Sequence, residues 1–243
     1  MSTIIIIQAR MGSTRLPGKI LMELGNSTVL DYVVQRCKLI ESIDQVIVAT
    51  SNCPEDDSIA AWCSSHRVQC FRGSEEDVLS RYYECAKTFQ PKYVMRVTAD
   101  CPFVDFHFAN MTMEAMKKNP SDIVVNRQQA ELTRGLSVEL LSFSALERIY
   151  QISTEGRHRE HVTFYAYEFP EQFTQTILEV PASLLHPNLR LTIDTPEDYE
   201  LCKFLSNQWN NEKTVRSEKL IAYLLEHPEI ARINAHISQK PVI

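Results

Sequence analysis

Along the first half of the chain, short apolar runs alternate with longer amphipathic stretches. The runs at 3–8, 45–50, 68–71, 93–98 and 122–126 are rich in Ile and Val. Several are continuously apolar, which predicts strands buried on both faces, as in a parallel sheet. Between them lie helical patterns at 27–41, 54–66, 75–89 and 105–119. In the first, Val29, Leu30, Val33, Val34, Cys37 and Ile40 recur at helical spacing and make one apolar face. Pro54-Glu55-Asp56-Asp57 puts proline and acids where a first helical turn favours them. This order predicts an α/β protein with a doubly wound, mostly parallel sheet and right-handed crossovers.

The pattern loosens at 127–181, which reads as a small α+β subdomain inserted in a single domain spanning 1–243. It holds a polar loop at 127–134, a strand at 136–141, helices at 143–152 and 159–167, and a strand at 173–180. A strand at 189–193 and helices at 196–209 and 217–225 complete the prediction.

Charge narrows the function. Twenty-five Lys and Arg against 31 Asp and Glu give a net charge of −6. No basic stripe is available for a nucleic-acid backbone, so an anionic ligand requires local positive charge. The longest aliphatic run, four isoleucines at 4–7, is far short of the ~20 residues that span a bilayer. No membrane insertion and no secretory signal are therefore expected. Seven cysteines without a C-x-x-C pair argue against a zinc knuckle or disulfide framework and for the reducing cytoplasm.

The local positive charge follows the first strand, in Gln8-Ala9-Arg10-Met11-Gly12-Ser13-Thr14-Arg15-Leu16-Pro17-Gly18-Lys19. Glycine lets the backbone approach an oxyanion, and Ser13 and Thr14 add hydroxyls. Arg10 and Arg15 can fork onto phosphate oxygens, with Lys19 as a mobile point charge. Ligands of open α/β sheets bind beyond the carboxyl ends of the strands, where this loop lies. It is not a Walker A loop: five residues separate Gly12 from Gly18, and Ile20 replaces the Ser/Thr.

Asp100 and Asp194 each follow a predicted strand, so both are expected on the same rim. Two carboxylates facing a phosphate site suit Mg²⁺, which bridges carboxylates to nucleotide phosphates. Glu197 and Asp198 read as first-turn acids behind a Thr195 cap. Thr50, Ser51 and Asn52 stand at the end of the second strand, where a base could be received. Arg72, Ser74, Asp77 and Arg81 form a polar cluster, although Asp77 and Arg81 equally suit an i, i+4 surface pair. His161 sits in a charged run from Arg157 that could be a solvated helix start, and Arg134-Gly135 is a further candidate.

Five ordered motifs carry a resemblance. The loop 8–19, RGSEEDVLSR at 72–81, RVTADCP at 96–102, REHVT at 159–163 and DTPED at 194–198 resemble the spore-coat polysaccharide cytidylyltransferase-like family. That family is related to the CMP-KDO and CMP-acylneuraminate synthetases, and the resemblance spans roughly residues 3–205. It implies a nucleotide-diphospho-sugar transferase-like fold. It also implies transfer of CMP from CTP to an acidic sugar or sugar-like acceptor, with pyrophosphate released, for surface polysaccharide. Carried over by position, Ala9, Arg10, Gly12, Ser13, Arg15, Lys19, Thr50, Thr98 and Asp100 would bind nucleotide. Lys19, Arg10 and Asp194 would be catalytic, and Asp100 and Asp194 would hold Mg²⁺. Arg72, Ser74, Asp77, Arg81, Arg159 and His161 would contact substrate. Thr98 stands where the related KDO enzymes carry a glutamine near the base, which leaves base discrimination open. A homodimer through 127–181 is likewise implied. Two competing readings are a glycosyltransferase and a non-catalytic nucleotide-binding module. The first wants a D-x-D triplet, which Pro102 denies to Asp100.

Overall fold

The computed structural model describes residues 2–239. Strand β1 (Thr3–Gln8) leads into the basic loop, which ends in a 3-10 turn at Lys19–Leu21. A hairpin of β2 (Glu23–Leu24) and β3 (Ser27–Thr28) precedes α1 (Val29–Cys37). Alternation follows through β4 (Gln45–Ser51), α2 (Asp57–Ser65), β5 (Gln69–Gly73), α3 (Val78–Phe89), β6 (Tyr93–Thr98) and α4 (Phe106–Lys118). Next come β7 (Ile123–Asn126), β8 (Glu139–Ser142), α5 (Phe143–Ile152), α6 (Gly156–Glu160), α7 (Phe164–Glu168) and β9 (Gln175–Leu178). Helices α8 (Pro196–Gln208), α9 (Ser217–Glu226) and α10 (Pro228–Ala231) finish the chain.

Among the described residues, one seven-stranded sheet has the order β5-β4-β1-β6-β8-β7-β9. β5, β4, β1 and β6 are parallel; β8 runs antiparallel to β6 and β7, and β7 pairs parallel with β9. Helices cover both faces, and β1 shows why its run is unbroken. Ile5 and Ile7 pack with α1, α2 and α4, whereas Ile4 and Ile6 pack with α3 and α5. A third apolar cluster joins α8 and α9 to Leu191 and Ile193, beneath the candidate site. No helix among the described residues is long and apolar enough to cross a membrane.

Several predicted elements differ, three of them for a visible reason, while α3 begins at Val78 and β8 at Glu139, each three residues later than its pattern. Residues 189–193 are not a strand: only Arg190 bridges, to Arg134. The pairing cannot extend, because Gly135 turns away at φ +93° and Ile193 N–H donates to Asp100 O (2.8 Å) instead. The helix expected from residue 27 begins at Val29, because Ser27 and Thr28 are held in the hairpin that turns at Gly25 (φ +61°). The helix expected over 159–167 is interrupted at His161, whose carbonyl accepts from Phe164 N–H (2.6 Å). The strands β8 and β9 of the irregular region belong to the main sheet.

The register Gln8 to Thr98 brings the segments after β1 and β6 out at the same end of the sheet. With Asp194 tied to Asp100 through Ile193, three segments distant in sequence meet there.

Candidate active site

They surround a cleft of about 630 Å³. Its walls include Ala9, Arg10, Gly12, Ser13, Arg15 and Lys19 of the basic loop, with Thr98, Asp100, His161 and Asp194. The loop is held open by its own bonds. Ser13 and Gly18 N–H donate to Met11 O (2.8 and 3.2 Å), and Gly18 takes the left-handed conformation at φ +70°. Among the described residues, the amides of Gly12, Thr14 and Arg15 have no protein acceptor. Thr14 and Arg15 are consecutive, and neighbouring unpaired N–H groups are what an anion-binding concavity is made of. A Cβ on Gly12 would meet only Glu75, at 3.7 Å, so the chain's own packing does not demand glycine there.

Lys19 is the centre of the charge arrangement. It is 8% exposed, and its Nζ donates to Asp100 Oδ2 (3.0 Å), Asp194 Oδ1 (2.9 Å) and Ile193 O (2.6 Å). Burial opposes its charge, but Asp100 and Asp194 outweigh burial and hold the ammonium above the ordinary lysine value. Asp194 is likewise opposed by burial and held below the usual carboxylate range by Lys19, Arg15 and Arg190. Arg15 reaches Asp194 at 3.3 Å, and Arg10 reaches Glu160 at 3.2 Å. Every cation of the loop therefore faces an acid.

A buried acid anchors the start of the loop. Asp56, 2% exposed, accepts from Met11 N–H (2.7 Å) and Ser51 N–H (3.0 Å), joining the loop to the end of β4. Burial works against its charge, but the bonds from Ser51 and Met11 keep its carboxyl below the ordinary 3.8. Asp56→Asn leaves one of the two N–H groups facing an amide donor, and costs about 1–3 kcal/mol in urea unfolding. Because the folded value is depressed, the wild-type advantage is complete above 3.8 and disappears as pH falls through the folded value. A gap that persists unchanged into strong acid contradicts this account.

Several expected contacts point elsewhere. Arg159 forks onto Asp77 and donates to Tyr150 O (3.1 Å), so it braces α3 against α5 and does not line the cleft. Asp77 also caps α3 through Ser80 N–H (2.8 Å); it pairs with Arg159, not with Arg81. Arg72 clamps the β4–α2 connection through Ser51 O (2.9 Å), Cys53 O (3.0 Å) and Asp57 (2.6 Å). Ser74 accepts from Asp77 N–H (3.1 Å), Arg81 is buried against Ser74 O, and Thr50 is fully buried. His161 does face the cleft, but burial and then Arg96 push it below the ordinary 6.5. At neutral pH its imidazole is uncharged and offers hydrogen bonds, not an ion pair, to an acidic group.

Other residues were not singled out from the sequence. Arg96 lines the cleft and pairs across strands with Glu139, which its register partner on β8 makes possible. Glu160 faces Arg10, and Arg190 braces Asp194 from below (2.8 Å). Asp198, read as a first-turn acid, is fully buried and bonds Arg190 (2.8 Å) as well as completing the Thr195 capping box. Arg96 and Glu160 lay inside recognised motifs, which was a usable signal; nothing in the sequence pattern marked Arg190.

Residues 4–227 match the profile of the cytidylyltransferase family. The chain belongs to that family. It is accordingly an enzyme, a CTP-dependent nucleotidyltransferase. The spore coat polysaccharide biosynthesis protein SpsF of Bacillus subtilis is 37% identical over 233 residues, covering 93% of this chain and 95% of that one. A cytidylyltransferase structure from Leptospira borgpetersenii superposes with a TM-score of 0.89 at 32% identity, covering 99% of this chain and 100% of the other. A CMP:2-keto-3-deoxy-manno-octonic acid synthetase solved with CTP shares the fold at 15% identity (TM-score 0.66, 86% of this chain and 100% of the other).

Proposed function

We propose that this cytidylyltransferase transfers CMP from CTP to an acidic sugar or sugar-like acceptor, for surface polysaccharide or glycoconjugate assembly in the cytoplasm. The observation that carries the reading is Lys19 held between Asp100 and Asp194 at the mouth of a loop with free amides. An acceptor oxygen attacks the α-phosphorus in line and pyrophosphate leaves. Positioning and charge neutralisation suffice, with no covalent enzyme intermediate.

The amides of Gly12, Thr14 and Arg15 and the side chains of Arg10, Ser13 and Arg15 hold the triphosphate. The room above Gly12 suits close approach of phosphate. Ala9 and Thr98, which line the cleft, lie toward the nucleoside, while Lys19 offsets charge on the departing pyrophosphate. Asp194 orients the attacking oxygen. Asp100 and Asp194 fit Mg²⁺: both are hard oxygen donors, and both already reach one cationic nitrogen. Bound there, the ion would neutralise phosphate charge. His161 and Arg134, which line the same cleft, receive the acceptor. Residues 127–181 supply a homodimer face, a reading supported by edge strand β9 and its exposed Ile177.

The test is pyrophosphate release with each of the four NTPs against a panel of KDO, N-acetylneuraminate, sugar phosphates and phosphonates. Release with CTP and one acidic sugar is expected. Consumption of a nucleotide-sugar instead, or no release with CTP and any acceptor, refutes the proposal.

A further inference from the structure

Asp194 presents two different oxygens to two different surroundings. Oδ1 meets Lys19 and Arg15 at the cleft, and Oδ2 accepts from Arg190 Nη2 at 2.8 Å. Arg190 is 6% exposed, and all three of its guanidinium nitrogens donate. Nε donates to Asp198 Oδ1 (2.8 Å), Nη2 also to Asp198 Oδ2 (3.1 Å), and Nη1 to Gln239 Oε1 (3.2 Å). Asp198 Oδ2 in turn accepts from the backbone N–H of Asp194 (3.0 Å) and Thr195 (3.2 Å). Both the side chain and the backbone of Asp194 are thus fixed from beneath.

The network is closed by a segment outside the residues that match the family profile, which end at 227. Asn234, 2% exposed, donates from Nδ2 to Asp198 Oδ1 (2.8 Å) and to Arg190 O (3.0 Å). The buried amide thereby finds acceptors, and the buried Asp198 carboxylate is held by donors from Arg190, Asn234 and the backbone. Gln239 lines the cleft itself.

We propose that Arg190, Asp198 and Asn234 are positioning residues that aim Asp194 Oδ1 into the cleft, with the C-terminal segment through Gln239 locking them. This rests on the reading of Asp194 as a metal-holding carboxylate. Partners behind a metal ligand are worth about 10–100-fold in metal affinity.

The test uses the full chain, the non-hydrolysable probe α,β-methylene-CTP and Mn²⁺ as a paramagnetic stand-in for Mg²⁺. Calorimetry gives the analogue's affinity without metal, and electron paramagnetic resonance gives Mn²⁺ affinity of the enzyme–analogue complex. Asn234→Ala is expected to weaken Mn²⁺ binding about tenfold while leaving metal-free analogue binding unchanged. Gln239→Ala, at the exposed end and harmless to folding, is expected to shift Mn²⁺ binding in the same direction by less. A role confined to structure would lower the melting temperature without separating these two affinities. Unchanged Mn²⁺ affinity in every variant that folds overturns the inference and leaves the proposed function standing. A wild-type protein that binds neither probe overturns the function, and the inference falls with it.

Discussion

Replacing Lys19 with alanine lowers pyrophosphate release from CTP by on the order of 10²–10³ while leaving the protein folded. The rate is lost because the proposed function assigns Arg10 and Arg15 to the triphosphate, and neither brings its charge to the place Lys19 Nζ holds between Asp100 (3.0 Å) and Asp194 (2.9 Å). The fold survives because neither carboxylate is stranded. Asp194 keeps Arg190 (2.8 Å) and Arg15 (3.3 Å), and the Asp100 side chain is 26% exposed, so water can replace Nζ. Lys19→Arg does not restore turnover. A planar fork cannot place donors toward two carboxylates and the Ile193 carbonyl in a site that leaves lysine 8% exposed. The ammonium, held above 10.5, stays charged across the neutral range, and its contribution fades only as pH rises through that higher value. Near-wild-type turnover by a folded Lys19→Ala protein removes the assignment.

The same geometry sets a condition on binding. Every donor of Lys19 Nζ is already used within the chain, so under the proposed function a triphosphate would compete with Asp100 and Asp194 for it. Under the proposed function, Asp100 and Asp194 would hold a divalent cation, and the charge it supplied there would relieve that competition.

How much of this was legible depends on whether a residue's role is local. The basic loop could be read because its glycines, hydroxyls and cations are consecutive and follow a buried strand. Asp100 could be read because it follows the end of β6, whereas Asp194 reaches the same rim although 189–193 is not a strand, through the Ile193 N–H bond to Asp100 O (2.8 Å). Arg159 and Asp77 could not, since each is an ordinary charged residue in sequence. What decides their role is that α3 and α6 pack together, bringing the two into an ion pair across 82 positions. Asp198 shows the same limit. Its first-turn position was correct, but burial against Arg190 depends on the third apolar cluster, whose members are scattered from Leu24 to Leu224. The β1, β6 and α5 bounds agree with their apolar patterns, whereas 189–193 looks like a strand and is denied a ladder by the turn at Gly135.

Arg36 carries that lesson into stability, and Arg36→Met is expected to cost about 3–5 kcal/mol in urea unfolding. It falls among the apolar positions of α1 as an ordinary polar residue, yet it is 1% exposed. Its Nε donates to Val104 O (2.8 Å), and Nη1 donates to Lys213 O (2.7 Å) and Val215 O (2.8 Å). The guanidinium also lies 5.0 Å from the Phe106 ring centroid. One side chain therefore ties α1 to the start of α4 and to the segment entering α9. Methionine fills much of the volume but satisfies none of the three carbonyls, and each buried acceptor left without a donor costs about 1–3 kcal/mol. Arg36→Lys, with one ammonium for three separated acceptors, falls between wild type and Met. Because α9 packs into the cluster that holds Leu191 and Ile193 below Asp194, activity should decline in step with the folded fraction and not before it. A Met variant within about 1 kcal/mol of wild type would mean that water satisfies these carbonyls and that the link between α1 and α9 is not a source of stability.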